Sequence, residues 1–290
     1  MTTRRRSPSR PRPAATVGRV LLIAVALLVA IGPVLYGFIL SVRPYSSIVQ
    51  EPLNLIPSFD ELDFSGYTTA MLDPDQGGFG LGRFVINSLL VGLGTVVLSV
   101  LVSILGAYAA ARLRYRGRRG MNAIILAVYL FPGIVLSVPL FVLLARAGLT
   151  GSLVGLFLVY VATTVPVSIY MLRNYFQALP ESVEEAAIVD GASLPQMLRS
   201  VVLPIALPGV VATSIYVFMI AWNEYFYALL FLVRDRSQWT APLGISQLAD
   251  FNVPVTVLLS GSIAVTIPIV ILFFLAQRYL VEGLTAGAEK

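Results

Sequence analysis

The chain has 290 residues, of which 57% are hydrophobic and only 12% charged, with a formal net charge of +5. A soluble domain carries about twice that charged fraction. With no cysteine and no histidine, disulfides and Cys/His metal sites are excluded, and the commonest general base is missing.

The positive charge is almost entirely arginine, since Lys290 is the only lysine. Residues 1–16, rich in Arg, Pro, Ser and Thr, read as a disordered tail. Six apolar runs follow, at 20–42, 84–111, 120–145, 147–172, 200–223 and 251–277, each at least 23 residues long. About 20 apolar residues cross the hydrocarbon core as a helix, so the expectation is an all-α protein with six transmembrane helices. The first run exceeds a cleavable signal segment and reads as an uncleaved span. The stretch 225–233 is apolar but too short to span.

Arginine placement sets the expected orientation. The N-terminal tail, the 112–119 loop, the 173–199 segment and the C-terminal end hold fifteen of the 20 basic residues. Arg43, Arg83, Arg146, Arg234 and Arg236 lie on the other side. Both termini and the segment between the fourth and fifth runs are therefore expected in the cytoplasm. The basic balance implies a lipid bilayer rather than nucleic acid as its counterpart. Domain boundaries follow: tail 1–16, first span and external loop 17–83, a five-helix core 84–277, and a C-terminal tail 278–290. The end of the external loop, Gln76-Gly-Gly-Phe-Gly-Leu-Gly82, reads as flexible. Prolines 132, 139, 166, 208 and 268 are expected to kink the spans that carry them.

Residues 180–204 are charged and carry helix-boundary signals between two apolar runs. Pro180 suits a first helical position, and Glu181, Glu184 and Glu185 complement a positive helix end. Gly191 suits a left-handed C-terminal cap. Ser193 and Gln196 have capping-box spacing. The reading is two short helices with a hinge. Val183, Ala186, Ala187, Val189 and Asp190 leave a small, mildly apolar face that a partner's groove could accept. The face is too weakly apolar and too acidic to anchor on a bilayer.

The segment Glu185-Ala186-Ala187, three residues, Gly191, nine residues, Val201-Val202-Leu203-Pro204 resembles the Glu-Ala-Ala motif of ABC importer permeases, with Val201 in place of Ile. Further stretches resemble the second permease subunit of the maltose-type carbohydrate systems. They are Pro52-Leu-Asn-Leu-Ile-Pro57, Phe84-Val-Ile-Asn87-Ser88, Gly106 to Gly117, Ala221-Trp222-Asn223-Glu224, and the tail Arg278 to Ala288. The resemblance implies a type I ABC importer permease fold and a transport subunit for a sugar or oligosaccharide. It also implies coupling to an ATPase through Glu184, Glu185, Ala186, Ala187, Asp190, Gly191, Leu203 and Pro204. Leu284, Thr285 and Gly287 would touch the same ATPase. Implied partners are a second, different permease, an ATPase dimer and an extracytoplasmic solute-binding protein. A polyol or glycerol-phosphate solute is the alternative.

No Gly-x-x-x-x-Gly-Lys-Ser/Thr motif occurs. The chain is thus read as non-enzymatic, without catalytic residues, metal or cofactor of its own; ATP and Mg belong to the partner. A stand-alone carrier would need ion-coupling sites at the midplane. Polar groups at membrane depth are the candidates for a translocation path: Asn87, Thr163, Asn223 and Glu224. Asn223 and Glu224 read more as structural or gating residues than as sugar contacts. The neighbouring Trp222, Tyr225 and Tyr227 read as an interfacial aromatic belt.

Overall fold

A computed structural model describes residues 13–51, 58–250 and 252–286, with side chains described for 17–51, 58–250 and 252–279. Among the described residues the secondary structure is helical throughout. The first helix, α1 (Pro13–Ser41), begins four residues inside the expected tail. Its side chains are exposed along most of its length, so it meets the body of the protein mainly at its C-terminal end. There Ser41 Oγ lies 2.7 Å from Tyr67 Oη, and Ser260 Oγ donates to Ser41 O at 3.0 Å. The buried Arg43 donates to Ser47 O, Ser47 Oγ and Glu51 O, tying down the end of α2 (Tyr45–Gln50).

The segment leading into the second span is structured rather than flexible at its end. Helix α3 (Ser65–Met71) is followed by a short turn, Pro74–Gln76. Phe79 N donates to Thr69 O and Gly80 N to Leu72 O. Gly77 and Gly80 adopt φ of +80° and +77°, which is what turns the chain back on α3.

The central helix is α4 (Leu81–Ala111). It packs on α7 (Leu153–Ala178) and α11 (Leu207–Asn223). Small and hydroxylated residues make this approach close: Ser99 Oγ and Thr164 Oγ1 are 2.8 Å apart and fully buried. Lipid supplies no hydrophobic drive between helices, so close packing and such hydrogen bonds must hold them.

Two of the six expected spans are broken. Helices α5 (Arg118–Leu130) and α6 (Gly133–Arg146) meet at 93°. Phe131 precedes Pro132, whose ring disfavours the helical conformation there; Phe131 sits at φ −72°, ψ 130°. Among the described residues, four helices are long and apolar enough to cross a membrane outright, and up to six spans result if each bent pair counts as one. Pro139, Pro166 and Pro268 instead stay inside continuous helices. The fourth span starts later than expected, at Leu153, because Gly148 and Gly151 turn the chain and Ser152 caps α7 through Gly155 N.

After α7 come α8 (Glu181–Val189), α9 (Leu194–Met197), a π-helical turn (Leu198–Val202) and α10 (Leu203–Ile205). The stretch 194–205 meets α11 at 78°. Two short helices, α12 (Phe226–Leu232) and α13 (Ala241–Leu248), precede the last helix, α14 (Val255–Ala286). The helix α14 runs without a break through the start of the expected tail.

Candidate functional site

The segment expected to dock a partner is a platform fixed to the end of α4. Glu184 is the fixing point. Its carboxylate accepts from Arg112 Nε at 2.7 Å and from Tyr108 Oη at 2.9 Å. The Arg112–Glu184 pair is largely buried, with side chains 10% and 12% exposed. Arg112 also donates to Leu179 O at 2.7 Å and reaches the exposed Glu181 at 3.3 Å. A charge pair removed from water needs further hydrogen bonds to be tolerated, and the guanidinium fork supplies them.

Below the polar clasp is an apolar one. Ala187 packs with Ala107, Tyr108, Leu172, Phe176, Met197 and Val202. Val183 lines a small recess with Leu179, Pro180, Val201 and Ile205. Positions 183, 184 and 187 thus share the inward face of α8, as helical spacing requires.

This corrects the expected docking face. Glu184 and Ala187 point into the protein, and Val183 follows them. Glu185, Ala186, Asp190 and Gly191 are exposed, with Ile188 62% and Val189 87% exposed beside them. An acidic and aliphatic ridge is therefore left free. Gly191 has φ +80°, and its amide donates to Ile188 O, closing α8. Gln196 Oε1 accepts from both Ser193 N and Ser193 Oγ, fixing the start of α9. Leu203 is half-buried against the same core and Pro204 is exposed. Leu284 and Thr285 belong to the last turns of α14, where no side chain is described, and Gly287 lies outside the described residues. The stretch 52–57 also lies outside them.

The membrane-depth residues do not converge on one site. Asn87 is buried, and its Nδ2 donates to Ser237 O and Trp239 O, both at 2.9 Å. Ser88 Oγ accepts from Ala241 N at 2.8 Å. Both residues join α4 to the chain before α13, so Asn87 is not displayed to a path. Thr163 bonds back to Val159 O and Tyr160 O of its own helix.

Glu224 is a junction. It accepts from Tyr227 N at 2.8 Å and Ala228 N at 3.1 Å, capping α12, and from Tyr160 Oη of α7 at 2.8 Å. Asn223 is exposed and bonds back to Met219 O. It lines an open recess of about 280 Å³ with Trp222, Tyr225, Pro242, Ile245 and Ser262. Trp222 is not part of an interfacial belt: it is 1% exposed and stacks on Phe218 at 5.3 Å. Tyr227 is buried as well, its hydroxyl donating to Gly133 O at 2.6 Å, across the bend between α5 and α6.

An aromatic set went unread in the sequence. Tyr129 of α5 stacks on Tyr170 of α7 with ring centroids 5.9 Å apart and planes 14° apart. Tyr216 of α11 interacts with Tyr129. Tyr129 and Tyr216 remain 41% and 38% exposed. Tyr216, Met219 and Asn223 follow one another at helical spacing along one exposed face of α11. Nothing local marks these tyrosines; they meet only because α5, α7 and α11 pack together.

Comparison with known proteins places this geometry. The family model described as "Binding-protein-dependent transport system inner membrane component" matches residues 102–285. The trehalose transport system permease protein SugB of Mycobacterium tuberculosis is 37% identical over 93% of this chain and 94% of its own. The trehalose/maltose transport system permease protein MalG of Thermococcus litoralis is 34% identical over 94% and 97%. A crystal structure of a bacterial ABC transporter that imports alginate superposes with a TM-score of 0.79 at 26% identity. That match covers 94% of this chain and all of the other.

Proposed function

Since the chain belongs to the family of binding-protein-dependent transport system inner membrane components, we propose that it is the permease subunit of an ATP-driven importer for a sugar or oligosaccharide. Relatives named for trehalose, maltose and diacetylchitobiose transport support the solute class. In this reading the chain forms half of a translocation path, and a second, different permease forms the other half. A solute-binding protein delivers solute on one side, and an ATPase dimer acts on the other. ATP and Mg are used by that dimer and not by this chain. The membrane is the bacterial cytoplasmic one, with both termini inside, as the arginine bias requires.

The observation that carries the coupling role is the two-sided character of α8. One side is locked to α4 by Glu184, Arg112 and Tyr108. The other presents Glu185, Ile188, Val189 and Asp190 to whatever lies beyond. A load applied to the ridge is passed to α4 through a charge-assisted pair and an apolar seat, and α4 is the helix on which α7 and α11 pack. Motion of an ATPase would thereby reach the spans. The half-exposed Tyr129 and Tyr216 and the neighbouring Asn223 offer flat faces and hydrogen-bonding groups suited to a sugar. They are the path candidates we favour over Asn87 and Thr163.

The test is affinity purification of the tagged chain in mild detergent. Co-purification of a second permease and an ATPase, with the ATPase lost and the second permease kept when Val189 and Gly191 are changed to Asp, supports the assignment. A homo-oligomer with no ATPase refutes it.

A further inference from the structure

The loop joining α4 to α5 and the first turn of α5 carry Arg112, Arg114, Arg116, Arg118 and Arg119 and no acidic residue. Two of the five are engaged inside the protein. Arg112 holds α8. Arg118 donates to Ala110 O at 2.9 Å and also to Ala111 O, satisfying the last carbonyls of α4. Arg114, Arg116 and Arg119 are exposed and have no hydrogen-bond or ion-pair partner among the described residues.

The loop also has a shape. Arg114, Tyr115, Gly117, Arg118 and Arg119 line an open recess of about 400 Å³. The uncapped start of α5 adds charge of the same sign beside it. Directly beyond the arginines the surface of α5 becomes apolar: Met121 and Ile124 are 48% and 58% exposed. A cationic recess resting on an exposed apolar wall, at the end of two membrane-crossing elements, matches an amphipathic anion.

We propose that this recess binds the phosphate of an anionic phospholipid, with the acyl chains lying along the exposed wall of α5. A soluble acidic partner would satisfy the arginines but leave Met121 and Ile124 uncovered. A free phosphate would do the same. Basic clusters at the membrane surface gain roughly fivefold in affinity per arginine from anionic lipid, so three unpartnered arginines give a preference on the order of a hundredfold. The site lies next to the Arg112–Glu184 clasp, which makes the lipid a neighbour of α8. It does not depend on which solute is carried.

The experiment is native mass spectrometry of the purified full chain, with its co-purifying partners, titrated with phosphatidylglycerol or phosphatidylcholine. The wild type is expected to retain phosphatidylglycerol preferentially. The variant Arg114→Gln/Arg116→Gln/Arg119→Gln should lose that preference on the order of a hundredfold. The corresponding Lys variant should keep most of it. Arg83→Gln/Arg146→Gln/Arg234→Gln, with the same charge loss elsewhere, should keep it entirely. Equal losses in the two Gln variants would overturn the site. So would displacement of the lipid by inorganic phosphate at equal concentration. Unchanged lipid preference with loss of the ATPase would show instead a protein-docking face. These outcomes are separable from the transport assignment, which is read by which partners co-purify with the wild type.

Discussion

Arg112, the residue just after α4, and Glu184, in the first turn of α8, form a largely buried ion pair at 2.7 Å, with Tyr108 as a second donor to the same carboxylate. The glutamate lies next to the Glu-Ala-Ala triplet, yet it faces inward. The two adjacent acids therefore differ: Glu184 seats the helix and Glu185 is exposed.

Glu184→Ala should strand the Arg112 guanidinium and destabilise the protein by about 3 kcal/mol. Thermal unfolding in detergent checks this. A double-mutant cycle with Arg112→Met should return a coupling of about 1–3 kcal/mol. Additive effects would mean that the pair does not clasp α8. Glu185→Ala, lacking any such partner, should change stability by less than about 0.5 kcal/mol.

Gly191→Asp should leave the protein inserted but abolish transport with the full partner set. The left-handed φ costs roughly 1–2 kcal/mol with Ala and less with Asp, whose short polar side chain tolerates it better, and the space around a new Cβ is empty. Gly191→Ala separates the effects, since it carries at least as much backbone strain as Asp and no charge. If Ala and Asp reduce ATPase co-purification equally, geometry rather than charge governs docking.

Val189→Asp should be nearly neutral for folding, because Val189 is 87% exposed. It should nevertheless remove the ATPase from the purified complex. Retention of the ATPase would exclude the α8 ridge as the contact.

Tyr160→Phe removes one of three donors to Glu224 and should cost about 1 kcal/mol. Glu224→Ala removes the acceptor for all three and should cost about 3 kcal/mol. Unfolding curves distinguish the two. A Glu224→Ala protein of wild-type stability would mean the junction is not structural.

Tyr129→Ala and Tyr216→Ala should lower uptake of the cognate sugar by up to about tenfold, the scale of one lost aromatic contact. The partners should still co-purify. Unchanged uptake in both would remove these tyrosines from the path.

The sequence by itself determined the class of protein. Six apolar runs, an arginine bias and the Glu-Ala-Ala spacing are local properties, and the caps at Gly191 and Ser193 are written in adjacent residues. Which face of α8 is free was not legible, because Val183, Ala186 and Ala187 are alike in size and polarity. Only the packing of α4 and α7 beneath decides between them. Asn87 likewise looked available for a path until the chain some 150 residues later supplied its acceptors. The stack of Tyr129 on Tyr170 joins two helices with no shared sequence signal. Periodicity and capping depend on neighbours along the chain, so they survive in sequence. Exposure, pairing and convergence depend on neighbours across space, and only the tertiary structure sets them.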